Sequence, residues 1–470
     1  MTSQLAGTAP ATGRESGPVT LQRGLRSRQI SMIAIGGAVG TGLFLGSAVT
    51  LNLAGRAAVV TYAVGAVVAL AVIYAAIEMA IAHPDVNGFG GMAHRYLGPL
   101  AGFVVRWLYW VVVTVTMGAE AVAVGVYLRY WWPGLPLWIP VLVAAGAVVA
   151  ANLATVRLFG NAEYWLSMIK VSAIVVFLVL GVTYLVAGLP GRPSPGLSAW
   201  TDSSSFLPHG LAGLGTAMIF TMFSYGGTEA VALTANESVD PRRDLPKAAR
   251  WTVLRLGLFY VLTIFVIVSA LAALGTPTGE LAASPFVVIL DWVGLPAAAA
   301  VMNFVVLTAA LSALNTLMYV AVRTLYSLGV DGQAPAFTST LSRRAVPTGA
   351  VLASAGGVAV AAAVSALSPD TAFAKMLGVS SFGGLACWAL ILATYLVFRR
   401  RRAGGDGDTG SGFRLAGGVV TSTATLAVLV AVLVGMAFVP TFRDAWYVGA
   451  PFVLAIVAAY LVTRRRRTAG

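Results

Sequence analysis

Three ionisable side chains stand in stretches of this sequence that otherwise carry no charge: Glu120 in "MGAEAVAVG", Lys170 in "SMIKVSAI" and Glu229 in "GGTEAV". Each costs about 2.5–3.5 kcal/mol at the centre of a membrane-crossing helix, so three together point to a working role. The chemistry open to them is narrow. A lysine withdrawn from water can lose and regain its proton, and a carboxylate can pair with it or accept freed backbone amides. Glycine clusters accompany these groups. The stretch "AIGGAVGTGLFLG" (34–46) has five glycines among thirteen residues, and "FSYGGTE" (Phe223–Glu229) sets two just before Glu229. Glycine lets a backbone leave helical geometry, which frees N–H and C=O groups that lipid cannot satisfy. Half-helix N-termini favour an anion and C-termini a cation, so two such breaks suit a zwitterion.

The elements that must hold these groups are helices. Of 470 residues, 58% are hydrophobic and only 10% charged, with a mean hydropathy of +0.86, whereas soluble domains carry about 25% charged residues. Splitting the apolar runs at charges and Pro/Gly-rich breaks predicts twelve spans: 29–50, 57–82, 98–128, 138–156, 162–188, 210–234, 250–274, 296–328, 346–366, 371–398, 416–439 and 445–463. Unbroken runs of this length are helical, because membrane barrels show alternation over about ten residues.

With a cytoplasmic amino terminus, 23 of the 30 Lys/Arg residues fall on the cytoplasmic side, including Arg242, Arg243, Lys247 and Arg250, then Arg399–Arg402 and Arg464–Arg467. This positive-inside bias places both termini in the cytoplasm. It also accounts for the net charge of +13 without nucleic acid, since arginines beside a span meet lipid headgroups. Residues 1–28 lack an apolar signal-peptide core and are expected to form a disordered cytoplasmic tail. The one cysteine, Cys387, rules out an internal disulfide and reads as a small packing residue.

The glycine breaks fall in spans one and six, five spans apart. Interrupted helices at matching positions of two halves are the best sequence pointer to inverted repeats around a midplane site. The expected organisation is a first five-helix repeat over 29–188 and a second, inverted, over 210–398. Two trailing helices over 416–463 and a basic tail over 464–470 complete it.

At these breaks the chain resembles the amino-acid permeases of the amino acid–polyamine–organocation superfamily, and within it the bacterial amino acid transporter branch. The resemblance is carried by "LQRGLRSRQISMIAIGGAVGTGLFLGSA", "FSYGGTEAVALTANESVDPRRDLPKAARWTVLRLGLFY", "AEYWLSMIK" (Ala162–Lys170), "SPFVVIL" (Ser284–Leu290) and "NFVVLTAALSALNTLMYVAVRTLYSLGVDGQAP" (Asn303–Pro335). "RRAVPTGAV" (Arg343–Val351) also follows the family pattern, and the likeness covers about residues 21 to 465. It implies two inverted five-helix repeats with broken helices one and six, and import of an amino acid across the cell membrane, usually driven by protons.

Carried to this sequence, the resemblance gives the amides around Gly40, Thr41 and Gly42 to the substrate α-carboxylate. Carbonyls near Ala38, Phe223 and Gly226 receive the α-amino group, and the Phe223 ring covers the substrate. In sodium-coupled proteins of this fold an ion sits beside span one, and a lysine on span five resembles its replacement, which makes Lys170 a candidate proton carrier. Glu229 is the second proton-coupling candidate, able to accept freed amides or gate the cytoplasmic path. Glu120 is expected to face the substrate side chain or to titrate with Lys170, and Met117, Asn315, Ser380 and Ser381 to line the side-chain pocket. "NGFGGMAHRYLGPLAGF" departs from the family pattern after span two, so no member's substrate preference carries over.

Glu78 reads as a helix-end residue near the inner face, and Arg106 as a group that reaches the headgroups from the start of span three. An enzyme is not expected: His83, His94 and His209 lie at span ends or in loops, and neither H-E-x-x-H nor G-x-S-x-G occurs. A channel lacks a repeated filter or charge ring, and a sensor lacks an added signalling domain. The expected protein is a proton-coupled permease with no cofactor and no bound metal, acting as a monomer or homodimer. An obligate amino-acid exchanger is the alternative.

Overall fold

The computed structural model describes residues 39–86, 88–154, 156–188, 193–196, 200, 206–229, 232, 241–273, 284–292, 296–342, 345–403 and 413–468. The N-terminal tail, residues 29–38 of span one and residues 230, 231, 233 and 234 of span six lie outside these residues. Among the described residues every regular element is helical, and nine helices are long and apolar enough to cross a membrane.

A single turn, Thr41–Phe44, leads into α1 (Gly46–Ala54), followed by α2 (Ala58–Ala82), α3 (Gly88–Leu97), α4 (Pro99–Leu128), α5 (Trp138–Ala154) and α6 (Val156–Ala187). The second half holds α7 (Gly210–Tyr225), α8 (Pro241–Arg255), α9 (Thr263–Ala273), α10 (Pro285–Trp292), α11 (Pro296–Val330), α12 (Thr348–Leu367), α13 (Ala372–Ala403), α14 (Gly418–Gly435) and α15 (Pro440–Thr468). A π-helical turn, Leu256–Leu262, joins α8 to α9 without a break. Two short helices, α3 and α10, fall between the predicted spans.

The α3–α4 corner shows how local chemistry sets a boundary. Gly98 adopts φ 104°, and its N–H bonds back to the carbonyls of Ala93 and His94 (3.1 Å each), which closes α3. Pro99 then opens α4, in the first turn, where an N–H has no intrahelical partner to lose.

Packing places α4 and α11 side by side at the centre, with α13 against α4 and α6 against α11. The turn at Thr41–Phe44 and α1 lie against α7, and α2 packs on α7 as well. The pair α14 and α15 attaches to α13 at the periphery and leaves large apolar side chains such as Val420, Phe438 and Leu454 exposed.

Two charged residues hold helices together from the ends. Arg106, read from sequence as a headgroup contact, instead pairs with Asp331 (2.7 Å) and donates to Ser327 Oγ (2.8 Å) and Gln333 Oε1 (3.1 Å). It thereby ties the start of α4 to the end of α11, across more than 200 residues of chain. Gly90 makes room for its stem, because a Cβ there would stand 2.1 Å from Arg106 Cγ.

Glu78, near the end of α2, is buried. Its Oε1 meets Arg399 Nη1 (2.9 Å) and Arg402 Nη1 (3.6 Å), while Oε2 accepts from the Tyr395 hydroxyl (2.7 Å) and the Leu415 amide (2.9 Å). One carboxylate thus joins α2, α13 and the segment before α14. Glu78→Ala is expected to destabilise the protein by about 3 kcal/mol, the lower end for breaking a buried pair, since Arg399 keeps some contact with solvent. Thermal unfolding in detergent reads the loss; an unchanged midpoint would refute it.

Candidate functional site

In the first apolar run the described residues open on a non-helical stretch at its glycine cluster. Val39 and Gly40 are not helical, and Gly40 is extended (φ −114°, ψ −161°) before the turn at Thr41 begins. The freed groups find partners in the buried charges. Lys170 Nζ, from α6, donates to the Val39 carbonyl (3.3 Å). On the far side of Gly40, the Thr41 N–H donates to both carboxylate oxygens of Glu120 from α4 (3.2 and 3.3 Å). A lysine Nζ therefore meets a freed carbonyl and a carboxyl group meets a freed amide, two residues apart.

Two glycines here are closely approached by neighbours. A Cβ on Gly40 would stand 2.5 Å from Glu120 Oε1, and one on Gly42 would stand 2.6 Å from Ser224 Cα. The second contact is backbone against backbone, and it brings the first break directly onto the end of α7.

That end is the second break. The helix stops at Tyr225, the Gly226 N–H returns to the Phe223 carbonyl (3.0 Å), and Gly227 takes φ 86°. Thr228 closes the turn with its amide (3.3 Å) and hydroxyl (2.7 Å) on the Tyr225 carbonyl. A polar seam then links this helix to α2. Ser224 Oγ lies 3.1 Å from the Tyr62 hydroxyl, the Tyr225 hydroxyl donates to the Tyr62 carbonyl (2.7 Å), and Thr221 donates to Thr61 (3.0 Å). The Tyr62 and Tyr225 rings meet edge to face, and Tyr225 stacks on Tyr260 with centroids 4.8 Å apart.

The structure brings Gly40, Thr41, Gly42, Glu120 and Lys170 into one cluster, with Phe223 and Gly226 on the neighbouring break. Ala38 lies outside the described residues. Glu229, three residues after Gly226, is buried near Tyr109 of α4 and Trp388 of α13, and its Oε2 has no hydrogen-bond partner among the described residues. Asn315 accepts from Asn152 Nδ2 of α5 (3.2 Å). Its helix reaches the break through Ala313, which lies beside Gly40.

One buried group escapes a reading of the sequence alone. Glu163, seven residues before Lys170 on α6, is fully buried and accepts from the hydroxyls of Ser167 (3.2 Å) and Ser312. The spacing Glu163–Ser167–Lys170 puts all three on one helical face and is the signal that could reveal it.

Apolar helices of this number and length around buried charges make this a multi-pass membrane protein. The chain belongs to the amino acid permease family, whose family model ("Amino acid permease") matches residues 29–469. Among similar proteins, a probable threonine/serine transporter, YbxG, of Bacillus subtilis (strain 168) is 36% identical over 445 residues, covering 94% of this chain and 95% of that protein. The L-asparagine permease of Streptomyces coelicolor is 37% identical over 434 residues, covering 92% and 87%. The gamma-aminobutyric acid permease of Bacillus subtilis is 33% identical over 447 residues, covering 95% and 94%. The protein is thus an amino-acid transporter and not an enzyme.

Proposed function

We propose that this permease imports an amino acid together with a proton by alternating access across the cell membrane, with both termini cytoplasmic. The observation that carries this reading is the pairing of Lys170 with the Val39 carbonyl and Glu120 with the Thr41 amide, at the break that faces the end of α7. In this reading twelve spans form two inverted five-helix repeats plus two trailing helices. The zwitterion lies between the broken helices, its carboxylate on the amides of Gly40, Thr41 and Gly42. Its amino group lies on carbonyls near Ala38, Phe223 and Gly226, under the Phe223 ring, with Asn315 at the edge of the pocket.

Glu120 acquires a specific part here. It occupies the Thr41 amide, so an incoming carboxylate competes with it for the same N–H. Glu120 must be displaced or protonated before the substrate is seated, while Lys170 carries the transported proton and Glu229 guards the cytoplasmic side.

Uptake of labelled amino acids into proteoliposomes tests the proposal, with a panel that includes threonine, serine, asparagine and gamma-aminobutyric acid, the compounds named for the relatives. Accumulation driven by an inward proton gradient and abolished by a protonophore is the expected result. Uptake confined to vesicles preloaded with amino acid, and indifferent to the gradient, would make the protein an exchanger instead.

A further inference from the structure

We propose that Glu163 is the proton acceptor for Lys170, the group through which the transported proton leaves that lysine. The inference rests on the reading of Lys170 as a proton carrier and adds the next station on the path.

Glu163, Ser167 and Lys170 lie at positions i, i+4 and i+7 of α6, all three fully buried. Seven residues span about 10 Å along a helix, and helical side chains lean toward the N-terminus, which directs the lysine stem toward the turn that holds Ser167. Ser167 already donates to Glu163 Oε1 at 3.2 Å, and Ser312 of α11 donates to the same oxygen. The Glu163 carboxylate also acts electrostatically on Lys170. With α6 running outward from the cytoplasm, Glu163 lies on the cytoplasmic side of Lys170, where an imported proton must go.

The partners of Glu163 distinguish it from a strut. Glu78 is held by two guanidinium groups and a backbone amide, donors that favour only the carboxylate. Glu163 meets two serine hydroxyls, which donate to a carboxylate and accept from a carboxylic acid equally well. Its Oε2 has no hydrogen-bond partner among the described residues and is open to a proton. Both protonation states are therefore accommodated by the same neighbours.

The step balances within the chain. The Nζ–H bond of the Lys170 ammonium breaks and its proton passes to Ser167 Oγ, while the serine's own hydroxyl proton moves to a Glu163 carboxylate oxygen. Lys170 becomes a neutral amine, Ser167 is unchanged, and Glu163 becomes a carboxylic acid that then releases the proton toward the cytoplasm.

The test compares Glu163→Gln and Glu163→Asp with wild type in proteoliposomes, using two readouts on each. Net amino-acid uptake with internal acidification requires proton release; counterflow between labelled and unlabelled substrate does not. Glu163→Gln is expected to lower net uptake and acidification at least about tenfold, as loss of a proton-transfer group does, while counterflow stays within a few-fold of wild type. Glu163→Asp, which keeps a carboxyl group, recovers part of the net rate. Wild-type acidification in Glu163→Gln would overturn the relay and leave the Lys170 reading standing. Parallel loss of counterflow and net uptake in both variants would overturn it by making Glu163 a packing group. A wild-type protein that moves no proton overturns the Lys170 reading and the relay together.

Discussion

Lys170→Ala abolishes proton-driven accumulation. A unit charge crossing 100 mV supplies about 2.3 kcal/mol, which corresponds to roughly 50-fold accumulation, and that gradient should collapse to equilibration in the variant. The variant also strips the Val39 carbonyl of its donor. A buried polar group left without its partner costs about 1–3 kcal/mol, so a modest loss of thermal stability accompanies the functional one. The measurement is the steady-state ratio of labelled amino acid inside and outside proteoliposomes under a fixed gradient. A variant that still concentrates substrate would place the proton elsewhere.

Gly42→Ala carries the other large effect. Its new methyl would lie 2.6 Å from Ser224 Cα, and that neighbour is backbone, held by the Ser224–Tyr62 and Tyr225–Tyr62 hydrogen bonds. The first break must move off α7, at an overpacking cost of about 1–3 kcal/mol and a displacement of the two half-sites from each other. Uptake should fall at least about tenfold with a lowered unfolding midpoint, given how steeply rate depends on such positioning. Two neighbours make the comparison sharp. Gly46→Ala meets only Ser224 Oγ at 3.7 Å and the Thr41 carbonyl at 3.9 Å, and is expected to be nearly neutral. Gly40→Ala meets Glu120 Oε1 at 2.5 Å, the end of a flexible side chain, so it preserves the fold and disturbs the carboxylate instead. Equal behaviour of all three alanine variants in uptake and melting assays would refute this account.

Much of the framework is legible in one sequence because membrane helices announce themselves through uncharged length. The glycine clusters are legible for a related reason: glycine lets a backbone leave helical geometry, and the described backbone is non-helical at Val39–Gly40 and at Gly226–Gly227. What stays hidden depends on partners far away in the chain. Arg106 looks like a headgroup contact because Asp331 and Gln333 are more than 200 residues away. Glu78 looks like a helix end because nothing local pairs it with Arg399 or Tyr395. Helices α3 and α10 are too short to stand out between long spans. Glu163 is different, since its stripe with Ser167 and Lys170 is local. It is inconspicuous because it sits near the edge of an apolar run rather than within one.

The π-helical turn at Leu256–Leu262 carries a geometrical consequence. Such a turn holds more residues than the α-helix it interrupts, and each added residue rotates the rest of the helix by about 100°. The two ends of this continuous helix are therefore out of phase. Below the turn, Arg242, Arg243, Lys247 and Arg250 face outward while Leu245 and Ala249 are buried in α8. Within it, Tyr260 is aimed at Tyr225 next to the second break. The turn works as an angular offset that lets one rod point its arginines and its tyrosine independently. Deleting a single residue there, between the arginines and Tyr260, would turn the tyrosine stack away from its partner.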